Sequence, residues 1–197
     1  MEEEKYRFAG WAAIGSAVVF ILAFGLLVYD DVSNIMAQRG RGAPSDLLPL
    51  VIVLDVVSKL LVIYALLRFR TLLNDHYGFH AVDTLIVVLI AAGIALGAVS
   101  YLARVFPEFK VPVMVMGAML GITVGILGIV FATRLLRLNG NLNGMLKPLA
   151  YTYLAASICF AVVILAPLAL ALDTVATVLL GVTLLRGGEE LEEMEVV

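Results

Sequence analysis

Leu47-Leu48-Pro49-Leu50-Val51-Ile52-Val53-Leu54-Asp55-Val56-Val57-Ser58-Lys59-Leu60-Leu61-Val62-Ile63-Tyr64-Ala65-Leu66-Leu67-Arg68 decides the fold. Up to Leu67, and apart from Asp55, Ser58 and Lys59, the run is apolar on every face, so it lacks the alternation of a half-buried strand. The 21 residues from 47 to 67 reach about 30 Å as a helix at 1.5 Å per residue, the thickness of a bilayer's hydrocarbon core. Lipid offers backbone groups no partner, so it admits only helices and closed barrels. The stretch therefore reads as a membrane-spanning helix.

Five more runs of this kind flank it. Together they fall at residues 8–29, 47–67, 82–103, 111–133, 149–166 and 168–185, and they leave only turns and tails in a 197-residue chain. The composition agrees: 62% of residues are hydrophobic and 15% are charged, well under the roughly 25% charged of soluble domains. The expected fold is all-α, a polytopic integral membrane bundle of six transmembrane helices forming a single domain, with an acidic tail over residues 186–197. The last two runs form one apolar stretch broken at Pro167. Five spans with one long kinked helix is the competing count.

Orientation follows from the basic residues beside the spans. Lys5, Arg7, Arg68, Arg70, Arg134, Arg137, Lys147 and Arg186 fall on one side, against Arg39, Arg41, Arg104 and Lys110 on the other. Eight to four places both termini in the cytoplasm and the protein in the cell membrane. The run after Glu2, Glu3 and Glu4 is too long for a signal-peptide core and lacks its basic start, so it reads as an uncleaved span. Trp11, Tyr29, Tyr101, Tyr151 and Tyr153 lie near span ends, as interfacial rings do. Asn139-Gly140-Asn141-Leu142-Asn143-Gly144 reads as a turn, with Pro148 opening the fifth span. Residues 38–45 form the longest loop.

The second and sixth spans repeat at an offset of 118 residues. Leu54-Asp55-Val56-Val57-Ser58-Lys59-Leu60-Leu61 aligns with Leu172-Asp173-Thr174-Val175-Ala176-Thr177-Val178-Leu179, and both helices end in Leu-Leu-Arg, at Arg68 and Arg186. Leu135-Leu136-Arg137 closes the fourth span in the same way. Three repeated hairpins would account for all of it.

Asp55, Lys59 and Asp173 are the candidate polar intramembrane cluster. Counted from Arg68, Lys59 lies about 13 Å and Asp55 about 20 Å into a core of about 30 Å. An ionisable residue at such depth costs roughly 2.5–3.5 kcal/mol on insertion scales. Spaced i to i+4 with the acid first, Asp55 and Lys59 suit a self-neutralising pair that locks the bundle, or a polar pathway. Asp173 has Thr177 where Asp55 has Lys59. It needs Lys59 across an interface, a proton, or a wet position.

Gly93 and Gly97 in the third span, and Gly117, Gly121 and Gly125 in the fourth with Gly128 close by, recur every fourth residue. Such stripes let helices approach where lipid gives no hydrophobic drive. Third-against-fourth packing, a subunit interface and a glycine-lined pore are the three uses open to them. Asn74, Asp75, His76, His80 and Asp83 sit in a cytoplasmic turn. His76 and His80 would share a metal only on one regular helix, which Gly78 opposes.

No catalytic, metal or cofactor set is expected. The single cysteine, Cys159, lies in an apolar run, and the membrane serines have no histidine near them. Eight of the sixteen acids sit at Glu2–Glu4 and from Glu189 to Glu195, and nothing points to nucleic acid. Asp55 with Asp173 superficially suits an intramembrane aspartyl protease, but the Gly-x-Gly-Asp and Tyr-Asp contexts of those enzymes are absent.

The passage Leu66-Leu67-Arg68-Phe69-Arg70-Thr71-Leu72-Leu73-Asn74-Asp75-His76-Tyr77 into a new apolar helix resembles uncharacterised multi-span membrane families common in archaea. So does the passage from Arg134-Leu135-Leu136-Arg137 through the Asn/Gly turn to two closing spans. The resemblance covers about half the chain; it implies about six spans and carries no assigned chemistry. Two functions lead, with an intramembrane enzyme a distant third. One is a small transporter or channel, homo-oligomeric, using Asp55, Lys59 and Asp173. The other is an accessory or scaffolding subunit of a larger membrane complex.

Overall fold

A computed structural model describes residues 2–40, 45–138 and 144–195. The loop residues 41–44 and the Asn/Gly turn at 139–143 lie outside the described residues. Among the described residues six α-helices follow one another: α1 (Glu2–Gln38), α2 (Leu48–Tyr77), α3 (Asp83–Val105), α4 (Lys110–Leu135), α5 (Leu146–Ala161) and α6 (Ala166–Glu195). Short 3-10 turns at His80–Val82, Pro107–Phe109 and Val163–Leu165 link some of them. Among the described residues there is no strand.

Five helices, all but α5, are long and apolar enough to cross a membrane. Their outward faces are apolar: Val18, Ile21, Val53, Leu60, Val115 and Met119 are all exposed. Ser16, Ser58, Ser157, Thr177 and Thr183 are buried instead. A protein folded in water shows the opposite preference, so the pattern fits lipid as the surrounding solvent.

The chain break near Pro167 resolves into two packed helices, and it lies earlier than the sequence suggested. α5 ends at Ala161, Val162 leaves helical geometry with ψ 89°, and the 3-10 turn hands over to α6 at Ala166. Pro167 therefore sits in the first turn of α6, where its missing N–H costs no hydrogen bond. At 16 residues, α5 extends only about 24 Å.

Helices follow one another around the bundle in the order α2, α1, α6, α5, α4, α3, each packed along the next. The two ends of this series, α2 and α3, are consecutive in sequence yet touch little. Both termini lie at one end. There the large side chains are concentrated: Phe69, Leu72, Ile86, Phe131, Leu135, Leu146, Leu149, Leu180 and Leu184 are fully buried in one cluster with Tyr6 and Ala9. Toward the opposite end the buried positions carry mostly small residues such as Ala17, Ala23 and Ala169.

Glycine sets the closest crossings. A Cβ on Gly10 of α1 would lie 2.8 Å from the Gly181 carbonyl oxygen of α6, and one on Gly181 would lie 2.7 Å from that of Gly10. The fourth-span stripe divides between neighbours. Gly117 meets Val99 of α3 at 3.7 Å, whereas a Cβ on Gly125 would lie 2.8 Å from the Ser157 carbonyl oxygen of α5. Gly128 faces the Ser157 side chain, while Gly93 and Gly121 have open space above them. The strongest demand for small residues on α4 thus comes from α5, because those two backbones approach most closely.

Candidate functional site in the helix interior

α2 and α6 begin on the same register of the repeat. Leu48 and Ala166 are their first residues, each followed by a proline, and Asp55 and Asp173 come seven positions into each helix. Nine of the 21 aligned pairs from 48/166 to 68/186 are identical: Pro49, Leu50, Leu54, Asp55, Val57, Leu61, Leu66, Leu67 and Arg68 with their counterparts. The two helices bury matching positions as well. Val51, Ser58 and Ala65 are buried on α2, and Ala169, Ala176 and Thr183 on α6, a seven-residue spacing in both.

The two carboxylates stand in different company. Asp55 is bridged by the Lys59 ammonium one turn along the same helix face. Lys59 also lies over the Tyr101 ring of α3, 5.6 Å from its centroid, a cation–π geometry. The Tyr101 hydroxyl is placed beside the Asp55 carboxylate. Gly97, one helical turn before Tyr101, gives Lys59 its space: a Cβ there would lie 3.1 Å from Lys59 Cε. Gly97 thus serves the polar pair, and Lys59 bridges the thinly packed α2–α3 junction.

Asp173 is half-buried, and among the described residues its carboxylate has no ion pair and no side-chain hydrogen bond. Thr177 does not serve it, since its hydroxyl donates to the Asp173 backbone carbonyl at 2.9 Å. Tyr153 of α5 is in electrostatic reach of Asp173 and packs edge-on against Phe131, with ring centroids 5.5 Å apart. The structure joins Asp55 to Lys59 and leaves Asp173 apart from that pair.

Tyr101 and Tyr153 are the residues that sequence reasoning placed elsewhere. Read as interfacial anchors, both are half-buried and each neighbours one of the two repeated carboxylates. Trp11, Tyr29 and Tyr151 are exposed as expected. Ring type and position near a span end are the same in both groups, so nothing in the spacing separates them.

Polar contacts brace both ends. At the terminus-bearing end, Asp83 accepts from Arg70 Nε at 2.8 Å and from Asn74 Nδ2 at 2.9 Å, with His80 Nδ1 3.3 Å away. Gly78, at φ +56°, closes α2 with its N–H on the Asn74 carbonyl. Only glycine adopts that left-handed cap at no steric cost. α2 therefore stops between His76 and His80, and the two do not share one helix; the His76 side chain is outside the described residues. At the opposite end, Arg104 of α3 grips Asp31 of α1 through two bonds of 2.8 and 3.1 Å. Asp30 holds the start of α2 by accepting from the Leu47 N–H at 3.1 Å. Between these levels, Ser58 donates to the Ser16 carbonyl at 3.0 Å and ties α2 to α1.

Among the described residues no group of three or more histidine, cysteine or acidic side chains is placed to hold a metal. Comparison with family models, curated proteins and solved structures finds no match.

Proposed function

We propose that the chain is a small, non-enzymatic channel- or transporter-like protein of the cell membrane, with both termini cytoplasmic. Its polar groups within the membrane are the Asp55–Lys59 pair with Tyr101 and, apart from that pair, Asp173. The observation that carries this reading is the second carboxylate: Asp173 sits within an apolar helix and among the described residues has no ion pair. An ionised group in that position costs roughly 2.5–3.5 kcal/mol on insertion scales, and such residues generally mark ion or proton pathways. The matching registers of α2 and α6 support a duplicated hairpin, and three hairpins give six spans with α5 as a short fifth. A homo-oligomer fits the small size of the bundle.

Flux in proteoliposomes tests the reading. Protons, sodium, potassium and chloride are offered in turn to the parent protein and to Asp173→Asn and Asp55→Asn/Lys59→Met variants that remain folded. Conductance by the parent that falls in both variants supports it. Equal traces from empty vesicles, parent and variants would defeat it.

A second reading has an observation of its own. Among the described residues nothing lies within 4 Å of a Cβ on Gly93 or Gly121, which suits a close-packed helix of a larger complex and an accessory role. Purification from native membranes in mild detergent tests it, and a protein that always elutes alone removes it.

A further inference from the structure

We propose that Asp173 is a proton-binding position within the apolar layer, and that Lys59 withholds the same role from Asp55. The inference rests on the pathway reading above and names its ligand. The same carboxylate occurs at the same register of two repeated helices, and one difference separates them: the position one turn further on is Lys59 in α2 and Thr177 in α6. Asp55 consequently has an ammonium against it. Asp173 has none.

The surroundings of Asp173 give no other means of balancing its charge. α1, which packs along α6, carries no titratable side chain between Arg7 and Tyr29. α5 contributes Tyr153, while its Tyr151 is exposed, its Cys159 is buried and its Lys147 lies at the terminus-bearing end. α2, which touches α6 only slightly, brings Asp55 and Lys59, already committed to each other. On α6 itself the next charged side chain is Arg186, about 20 Å along the helix.

A metal cation is a poor occupant. Hard cations such as calcium take about 6–8 oxygen ligands. Among the described residues no group of three or more histidine, cysteine or acidic side chains gathers at Asp173, so the site offers a single carboxylate, enough to hold one proton. Asp173 is half-buried, which leaves that proton a route to come and go.

Dicyclohexylcarbodiimide, an apolar reagent for protonated carboxyl groups, tests the assignment directly. The acid's proton passes to a carbodiimide nitrogen as the carboxyl oxygen adds to the central carbon, and the adduct rearranges to an N-acylurea without a leaving group. The full-length protein in liposomes is treated across a pH series, and the peptides holding Asp55 and Asp173 are weighed by mass spectrometry. Labelling at Asp173 is expected to exceed that at Asp55 by about tenfold or more, and to fall as pH rises. Thr177→Lys should abolish it. Lys59→Thr should switch it on at Asp55, which keeps the proposal testable if a lysine at the buried Thr177 position prevents folding.

Equal labelling of the two aspartates, or an unreactive Asp173 at every pH, overturns the assignment. Protection of Asp173 by sodium chloride but not by choline chloride at constant pH overturns it in favour of a metal cation. Labelling with no flux of any ion would instead end the pathway reading while the proton site stands. Proton flux with Asp173 unlabelled does the reverse.

Discussion

Replacing Gly10 with alanine should weaken the bundle far more than the same change five residues away. The added methyl would lie 2.6 Å from Leu185 Cγ and 2.8 Å from the Gly181 carbonyl oxygen. The first of these can rotate aside. The second is backbone, so relief requires α1 and α6 to separate along the contact that joins the first hairpin to the rest of the bundle. Overpacking of this kind costs about 1–3 kcal/mol. At Gly15, also on α1, nothing lies within 4 Å, and a helical glycine-to-alanine change gains up to about 1 kcal/mol. The two variants should therefore differ by roughly 2 kcal/mol or more, about 30-fold in the unfolding constant. Reversible unfolding in mixed detergent micelles, followed through the single tryptophan, Trp11, measures it. Gly181→Ala should match Gly10→Ala, and the double variant should cost less than the sum, since one separation relieves both clashes. A Gly10→Ala protein as stable as Gly15→Ala would refute the claim that these two glycines set the α1–α6 approach.

Other expectations are open to similar tests. Lys59→Met should destabilise the protein by leaving Asp55 unpaired, and Asp55→Asn should recover much of the loss, as breaking one side of an ion pair costs more than removing both; unfolding of the two variants decides it. Gly97→Ala should leave unfolding within about 1 kcal/mol of the parent, because only the flexible end of Lys59 must move, while altering any flux that depends on the Lys59–Tyr101 contact. Asp83→Asn should loosen the α2–α3 turn by weakening the bonds from Arg70 and Asn74, read as faster amide exchange at residues 70–83. A reporter fused after Arg186 should read out on the cytoplasmic side, and an external signal would reverse the proposed orientation.

The helical architecture was legible because runs apolar on every side have no other stable form in lipid. Asp55 and Lys59 announced their pairing through an i, i+4 spacing, which fixes the geometry locally. What stayed hidden is decided between helices. Nothing in the fourth-span glycines says that Gly125 and Gly128 serve α5 while Gly121 meets no helix among the described residues. Gly10 and Gly181 belong to no stripe of glycines at every fourth position, yet they set the close crossing of α1 and α6. Tyr101 and Tyr153 differ from the exposed Tyr29 and Tyr151 only in the direction they face, and that depends on helix rotation, which apolar periodicity leaves undefined when every face is apolar. The break before α6 was visible through Pro167, but proline marks a helix start as readily as an end.

The uneven filling of the interior bears on how such a bundle would move. Phenylalanine and leucine interlock all six helices at one end, and an interlocked core resists sliding. Toward the other end the interior is filled with alanine, and an exposed arginine–aspartate clasp, Arg104 to Asp31, joins α3 to α1. Exposed ion pairs contribute about 0–1 kcal/mol, so that clasp can release and re-form at little cost. The molecule is therefore built like a pair of tongs, with a stiff pivot beside its termini and jaws at the opposite surface. Any opening of the bundle would meet the least resistance at the jaws.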